Sequence, residues 1–277
     1  MKTKILLPIA LVSALAMMLF CSCTISIKKM SANDDKDIIR KTYRVDDFKG
    51  INISMADAII HFEESDSFAV ELSADNTMHE NISVDVSNGI LFITCKDDDD
   101  MGITTSDDGR TLKIRGIKTA LDSHEVDIYI KAPHLSYIVC NGDTGFEAER
   151  IVADSMLFVQ INGAAELNID SIVAKRTELH VSGGCDADIK NINSREITLD
   201  TSGAGEIETS VSNADMTDLI TSGAAEYKIN FIENCNKVRI MANGAVDVTL
   251  SGQVNSVEKN INGAAEINMD DLLVNNK

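Results

Sequence analysis

The sequence predicts an all-β protein, specifically a right-handed single-stranded parallel β-helix of about 20 residues per coil. Three observations carry that prediction. A short segment ending in Asn-Gly or Ser-Gly recurs seven times, with glycines at Gly142, Gly163, Gly183, Gly203, Gly223, Gly244 and Gly263. Around each glycine, even offsets are apolar or small and odd offsets are polar, the period of two expected of strands with one buried face. Hydrophobic residues make up 44% of the chain, yet aromatics only 4% and tryptophan is absent. Such a core of Ile, Val, Leu and Ala packs in regular columns.

The glycine-to-glycine steps are 21, 20, 20, 20, 21 and 19 residues. That period is too short for two-helix repeats and suits one turn of a β-solenoid. Two residues before the glycine stand Cys140, Ile161, Val181, Thr201, Thr221, Ala242 and Ile261; four after the later glycines stand Leu167, Ala187, Ile207, Tyr227, Val248 and Ile267. One exception to the inward pattern is Lys259, where the other coils carry Leu, Ile or Val. The glycines read as repeat corners, where a larger side chain crowds the coil interior and a positive φ is allowed. At an outward offset, three residues past the glycine, lies an acidic column: Glu166, Asp186, Glu206, Glu226, Asp247 and Glu266.

Residues 43–135 keep the alternation without the glycine, for example Ile51, Ile53, Ile60, Phe62, Leu91 and Ile93, and read as irregular first coils of the same body. Residues 136–277 are the regular coils, so 43–277 is expected to be one continuous domain. Before it, residues 1–22 have the marks of an export signal: Lys2 and Lys4, then an apolar run from Ile5 to Phe20 too short for an ordinary spanning helix. The run ends in Phe20-Cys21-Ser22-Cys23, which resembles a bacterial lipobox with Cys23 as the lipidated residue. Cys23 follows the small Ser22, whereas Cys21 follows the bulky Phe20; Phe20 itself stands where the common pattern prefers Leu. Residues 23–42 read as a polar tether. The remaining cysteines, Cys95, Cys140, Cys185 and Cys235, have no close metal-ligand spacing and read as small buried apolar residues.

The recurring [Asn/Ser]-Gly-[Ala/Gly]-x-[Glu/Asp]-apolar signature resembles the head GIN domain family of auto-transporter adhesins, formerly a domain of unknown function. Ile161-Asn162-Gly163 is similar to the family's namesake signature, and the lead-in Tyr43-Arg44-Val45-Asp46-Asp47-Phe48-Lys49-Gly50-Ile51 to its opening. The resemblance covers roughly Phe48 to Asp270. It implies a β-helix on an exported protein of Gram-negative bacteria, in many members a lipoprotein, and supplies no catalytic residues.

The net charge of −19 argues against nucleic acid, which needs clustered Lys and Arg. Losing Lys2 and Lys4 with the signal takes the mature chain to −21. Asp97, Asp99 and Asp108, with Gly102, fall at positions one, three, twelve and six of a calcium-loop pattern, but Met101 stands where a ligand oxygen is needed. These are weak metal candidates, and a mobile acidic loop is the plainer reading. The acidic column reads as a solvated face: like charges about 4.8 Å apart repel by only about 0.9 kcal/mol in water. The five histidines form no ligand spacing, and no nucleophile motif or phosphate-binding glycine loop is present.

The expected function is therefore that of a non-enzymatic cell-envelope lipoprotein, held at the outer membrane by its lipid and needing no cofactor. Its rigid β-helix would serve as an adhesin or binding protein for a glycan or protein. The alternative is a polysaccharide-acting enzyme on the same scaffold, which would need a lone acid cluster beside a basic residue, breaking the repeat.

Overall fold

The computed structural model describes residues 38–95 and 126–275, together with the short antiparallel strands Ile103–Thr105 and Leu112–Ile114. Cys23, the export signal and the candidates Asp97, Asp99 and Asp108 lie outside the described residues. The described chain is a parallel β-solenoid of the expected period. From Tyr137 on, each coil lies in register on the one before it: Cys140 pairs with Ile161, Ile161 with Val181, Val181 with Thr201, Thr201 with Thr221 and Thr221 with Ala242.

The alternation of the sequence becomes inside and outside. In the coil Glu196–Ser212, Ile197, Leu199, Thr201, Ile207, Thr209 and Val211 point inward and are buried. Inward columns run the length of the stack, and their residues compensate for one another in size. Small Ala187 lies between Leu167 and Ile207, and the next coil carries the largest buried side chain, Tyr227. A buried phenol needs partners for its hydroxyl. Tyr227 donates to the Thr201 Oγ1 (3.0 Å) or the Ile220 carbonyl (2.9 Å) and accepts from Thr221 Oγ1 (3.0 Å). That explains two polar residues in a column otherwise filled by Ile, Val, Ala and Cys.

The glycine column meets the expected positive φ at two corners and needs glycine throughout for a further reason. At Gly142 and Gly163 φ is positive, +111° and +147°. At Gly203 and Gly223 it is not, and the obstacle does not lie in the coil interior. A Cβ on Gly203 would stand 2.0 Å from the carbonyl oxygen of Gly183, and one on Gly223 2.0 Å from that of Gly203. Each glycine thus faces the backbone of the glycine one coil earlier. The same carbonyls accept the next coil's ladder bonds: Ala204 N–H donates to Gly183 O (2.8 Å) and Ala224 N–H to Gly203 O (2.9 Å). On the other side of the bend, Ser202 N–H donates to Val181 O and Ser222 N–H to Thr201 O. The corner is a place of direct backbone contact, and the ladder continues through it.

The N-terminal coils belong to the same body but are stacked out of chain order. Gly50–Ser54 and Ala58–Glu64 lie directly beneath the strand Tyr137–Val152. The later segments Ile90–Cys95 and Val126–Ala132 stack on their far side. That outer edge is closed by antiparallel strands: Ile82–Ser87 pairs with Ile90–Cys95, and Ala69–Ala74 with Val126–Ala132. Asn88 and Gly89, both at positive φ (52° and 73°), make the tight turn of the first hairpin. Residues 39–42, within the stretch expected as tether, are part of a strand, Ile39–Tyr43, laid antiparallel along Ala69–Ala74. Buried His79, on the short helix Asn76–Asn81, fixes it by bonding to the Ile39 carbonyl (2.8 Å) and the Tyr43 hydroxyl (3.2 Å). At the opposite end the last strands pair, among the described residues, only with the coil before them, and Lys259 occupies an inward register position there, a charge that blunts an open sheet edge.

Backbone contact at the corner makes a specific prediction. Gly203→Ala must push its coil off Gly183, at a cost of about 1–3 kcal/mol for overpacking. Ser202→Ala, one residue away and outward, loses a bond from Oγ to the Val181 carbonyl (3.2 Å), about 1 kcal/mol. A denaturant melt is expected to place Gly203→Ala clearly below Ser202→Ala; equal midpoints would contradict the contact.

Candidate functional site

The register places the six acids of the outward column in one row, Glu166 to Asp186 to Glu206 to Glu226 to Asp247 to Glu266. The row is broken electrostatically by Lys228, whose Nζ lies 2.6 Å from Glu206 and 2.8 Å from Glu226. Those two carboxylates hold the ammonium well above its ordinary pKa. Glu166 instead accepts from Asn168 Nδ2 (3.1 Å). Among the described residues no group of three or more His, Cys, Asp or Glu side chains is arranged to hold a metal ion. The row is a solvated strip with its own counter-charge, beside a shallow hollow where Ala164 and Gly184 leave space.

A different row carries more recognition chemistry. On the face formed by the strands preceding the corners, Tyr137 stacks on Phe158, ring centroids 5.7 Å apart and planes 10° from parallel. Phe158 in turn packs against His180 at 5.2 Å. Tyr137 pairs with Gly50, whose missing side chain leaves room for the ring: a Cβ there would stand 3.0 Å from Tyr137 Cβ. Ile90, across Gly50 from Tyr137, continues the strip toward the N-terminal coils. The aromatic rings are half-exposed. At the strip's other end His180 lies between two carboxylates, Glu178 (3.4 Å) and Asp200 (3.3 Å), and Arg176 pairs with Glu178 from the side. Beside the strip runs a ladder of amides and hydroxyls. Asn141 Nδ2 donates to Ser54 Oγ (2.9 Å), Asn162 Nδ2 to Asn141 Oδ1 (2.9 Å) and Ser182 Oγ to Asn162 Oδ1 (2.7 Å).

This arrangement can stack on an apolar ring face and hydrogen-bond the polar groups around it. Aligning the repeats one position further back would have found it, since Tyr137 and Phe158 both stand five residues before their glycines.

Cys95, Cys140, Cys185 and Cys235 are all free thiols. The last three are buried as expected, whereas Cys95 is only partly so. Burial pushes Cys140 up to about 11, and burial with the nearby Asp186 charge pushes Cys185 up to about 12, so neither is a nucleophile at neutral pH.

The sequence profile of the family described as "Putative auto-transporter adhesin, head GIN domain" matches residues 47–231 and 177–277, and the chain belongs to that family. A crystal structure of a "putative adhesin" from Bacteroides fragilis is similar over 84% of this chain and 97% of its own, with 17% identity and a TM-score of 0.60. Two structures from Parabacteroides distasonis, a "putative adhesin" and a "putative lipid binding protein", cover the same shares at 14% identity, with TM-scores of 0.54 and 0.52. At such identities the likeness is one of fold. No curated protein matches the sequence.

The buried thiols make a prediction about pH. The folded state holds their protons more tightly than the unfolded chain, whose thiols ionise near ~8.5. Their contribution to stability is intact below that pH and is lost as pH rises toward 11–12. Melting temperature should therefore fall more steeply with alkaline pH in the wild type than in a Cys140→Ala, Cys185→Ala variant; equal slopes would place both thiols in water.

Proposed function

We propose that this head GIN family member is a non-enzymatic binding protein of the cell envelope. In this reading it is exported, held at the outer membrane by a lipid on Cys23, and engages a glycan or protein through the outer faces of its coils. Family membership supports an adhesin-type role. The signal-like residues 1–22 and the Ser22-Cys23 pair support the anchor. No helix among the described residues is long and apolar enough to cross a membrane.

The observation that carries the binding reading is the strip Tyr137–Phe158–His180. The three rings stay partly exposed in a line on an outward face. Tyrosine is enriched among the residues that dominate binding energy, and tyrosine and phenylalanine at interfaces generally. The rings of the strip are also pre-ordered: each ring is stacked on its neighbour and seated on a rigid sheet, so little side-chain entropy remains to be lost on binding.

Two measurements test the reading. Membrane fractionation should find Cys23→Ala released and Cys21→Ala retained; retention of Cys23→Ala would refute the anchor. A glycan array and a pull-down against envelope and host-surface proteins should yield a ligand whose affinity falls at least about tenfold in Tyr137→Ala, Phe158→Ala. A ligand bound equally well by that variant would take binding away from the strip.

A further inference from the structure

Among the described residues the register shifts at two places on the far side of the coil, between Ile189 and Ile192 and after Val211, and the second exposes a large apolar side chain. The step from Gly223 to Gly244 is 21 residues where the two before it are 20. Register locates the extra residue: Val211 pairs with Phe231 and Ser212 with Glu233, leaving Ile232 without an opposite number. It is a bulge, and it turns Ile232 out to 59% exposure while its neighbour Phe231 stays buried at 1%. Bulges re-aim side chains and recur beside binding sites.

Ile232 lines a groove of about 740 Å³, larger than the hollow of about 510 Å³ beside Ala164 and Gly184. The floor is a ladder of side chains from successive turns. Asn255 Nδ2 donates to Asn236 Oδ1 (2.5 Å), and Asn236 Nδ2 donates to Asp215 Oδ1 (3.1 Å). A parallel ladder runs from Asn234 through Asn213 to Asn193, at 2.9 Å and 3.2 Å. Asn213 and Asn234 both hold positive φ, 59° and 50°, which Asn tolerates better than most residues. At the groove's end is Arg195, whose guanidinium has no ion-pair or hydrogen-bond partner among the described residues.

These groups narrow the chemistry of an occupant. Amides and a carboxylate locked in a chain of hydrogen bonds present fixed donors and acceptors, suited to the paired hydroxyls of a sugar. Arg195 adds a fork of donors, and Ile232 offers an apolar surface to the C–H face of a ring. Asp215 and Glu233 offset the single cation, and the whole chain carries −19, so an anionic ligand is disfavoured. The rungs repeat about every 4.8 Å along the stack, close to the length of one pyranose unit.

We propose that this groove is a carbohydrate site for a linear neutral glycan lying along the solenoid axis, with successive sugar units against successive rungs. It lies apart from the aromatic strip and stands or falls independently of it.

The test is titration calorimetry on the full chain in detergent with cellohexaose, maltohexaose and mannohexaose, their trisaccharides, and hexagalacturonate as the charged control. At least one neutral hexasaccharide should bind, more tightly than its trisaccharide and than the galacturonate. Ile232→Ser and Arg195→Ala should each weaken it at least tenfold without changing the melting temperature, and Tyr137→Ala should leave it unchanged. Failure of all three neutral hexasaccharides to bind overturns the proposal, as does binding that survives both groove substitutions. If that surviving binding is lost in Tyr137→Ala, Phe158→Ala, the groove is excluded while the strip reading stands.

Discussion

The structure depends on the approach of one coil's backbone to the next at the glycine column. Gly183, Gly203 and Gly223 each take up the space directly over the carbonyl of the previous glycine. That contact leaves no room for a side chain, and in return the ladder of hydrogen bonds runs unbroken through the bend. A sheet that turns a corner without losing pairs has no buried orphan donors to satisfy. It also locks register: a one-residue slip would exchange inward and outward faces along every side. The acid row, the aromatic strip and the amide ladders are all consequences, because each needs equivalent residues to repeat at the same height.

Given that register, the interior is permissive and the ends are not. Inward columns accept Ile, Val, Leu, Ala or Cys, and accept Tyr227 once Thr201 and Thr221 serve its hydroxyl. The two ends of the stack are handled differently. Antiparallel strands, the outermost pinned by His79 of the short helix, close the N-terminal end, whereas charge at Lys259 guards the other. The outward faces are then free to vary, and both proposed binding surfaces lie there. At the strip Gly50 makes room for an aromatic ring, and at the groove an extra residue, Ile232, disturbs the surface without disturbing the core.

Much of this was legible in the sequence because a solenoid repeats its physics. The glycine period placed the coils, and the alternation separated inside from outside at nearly every position. The reason for the glycines was not legible: a contact between backbones 20 residues apart leaves the same mark as a demand for positive φ. Neither was the stacking order at the N-terminus. Which side of Gly50–Ser54 is taken by Ile90–Cys95 and which by Tyr137–Val152 is a choice between non-local pairings, and both strands show the same alternation. Asn88-Gly89 did announce a hairpin, by a turn chemistry the repeat search passed over. The binding candidates were hardest to see. Tyr137 and Phe158 lay one position beyond the aligned window, and Ile232 looked like any other apolar residue in a strand.

The contact at the corner is tested most directly by amide hydrogen exchange. If successive coils are bonded through the glycine bends, the N–H groups of Ser202, Ala204, Ser222 and Ala224 should exchange only by large-scale opening, with protection close to that of the mid-strand amides of Leu199 and Leu219. Exchange at those four positions on the timescale of an exposed loop would mean that the ladder stops at each bend, and that the glycines are hinges between separate sheets.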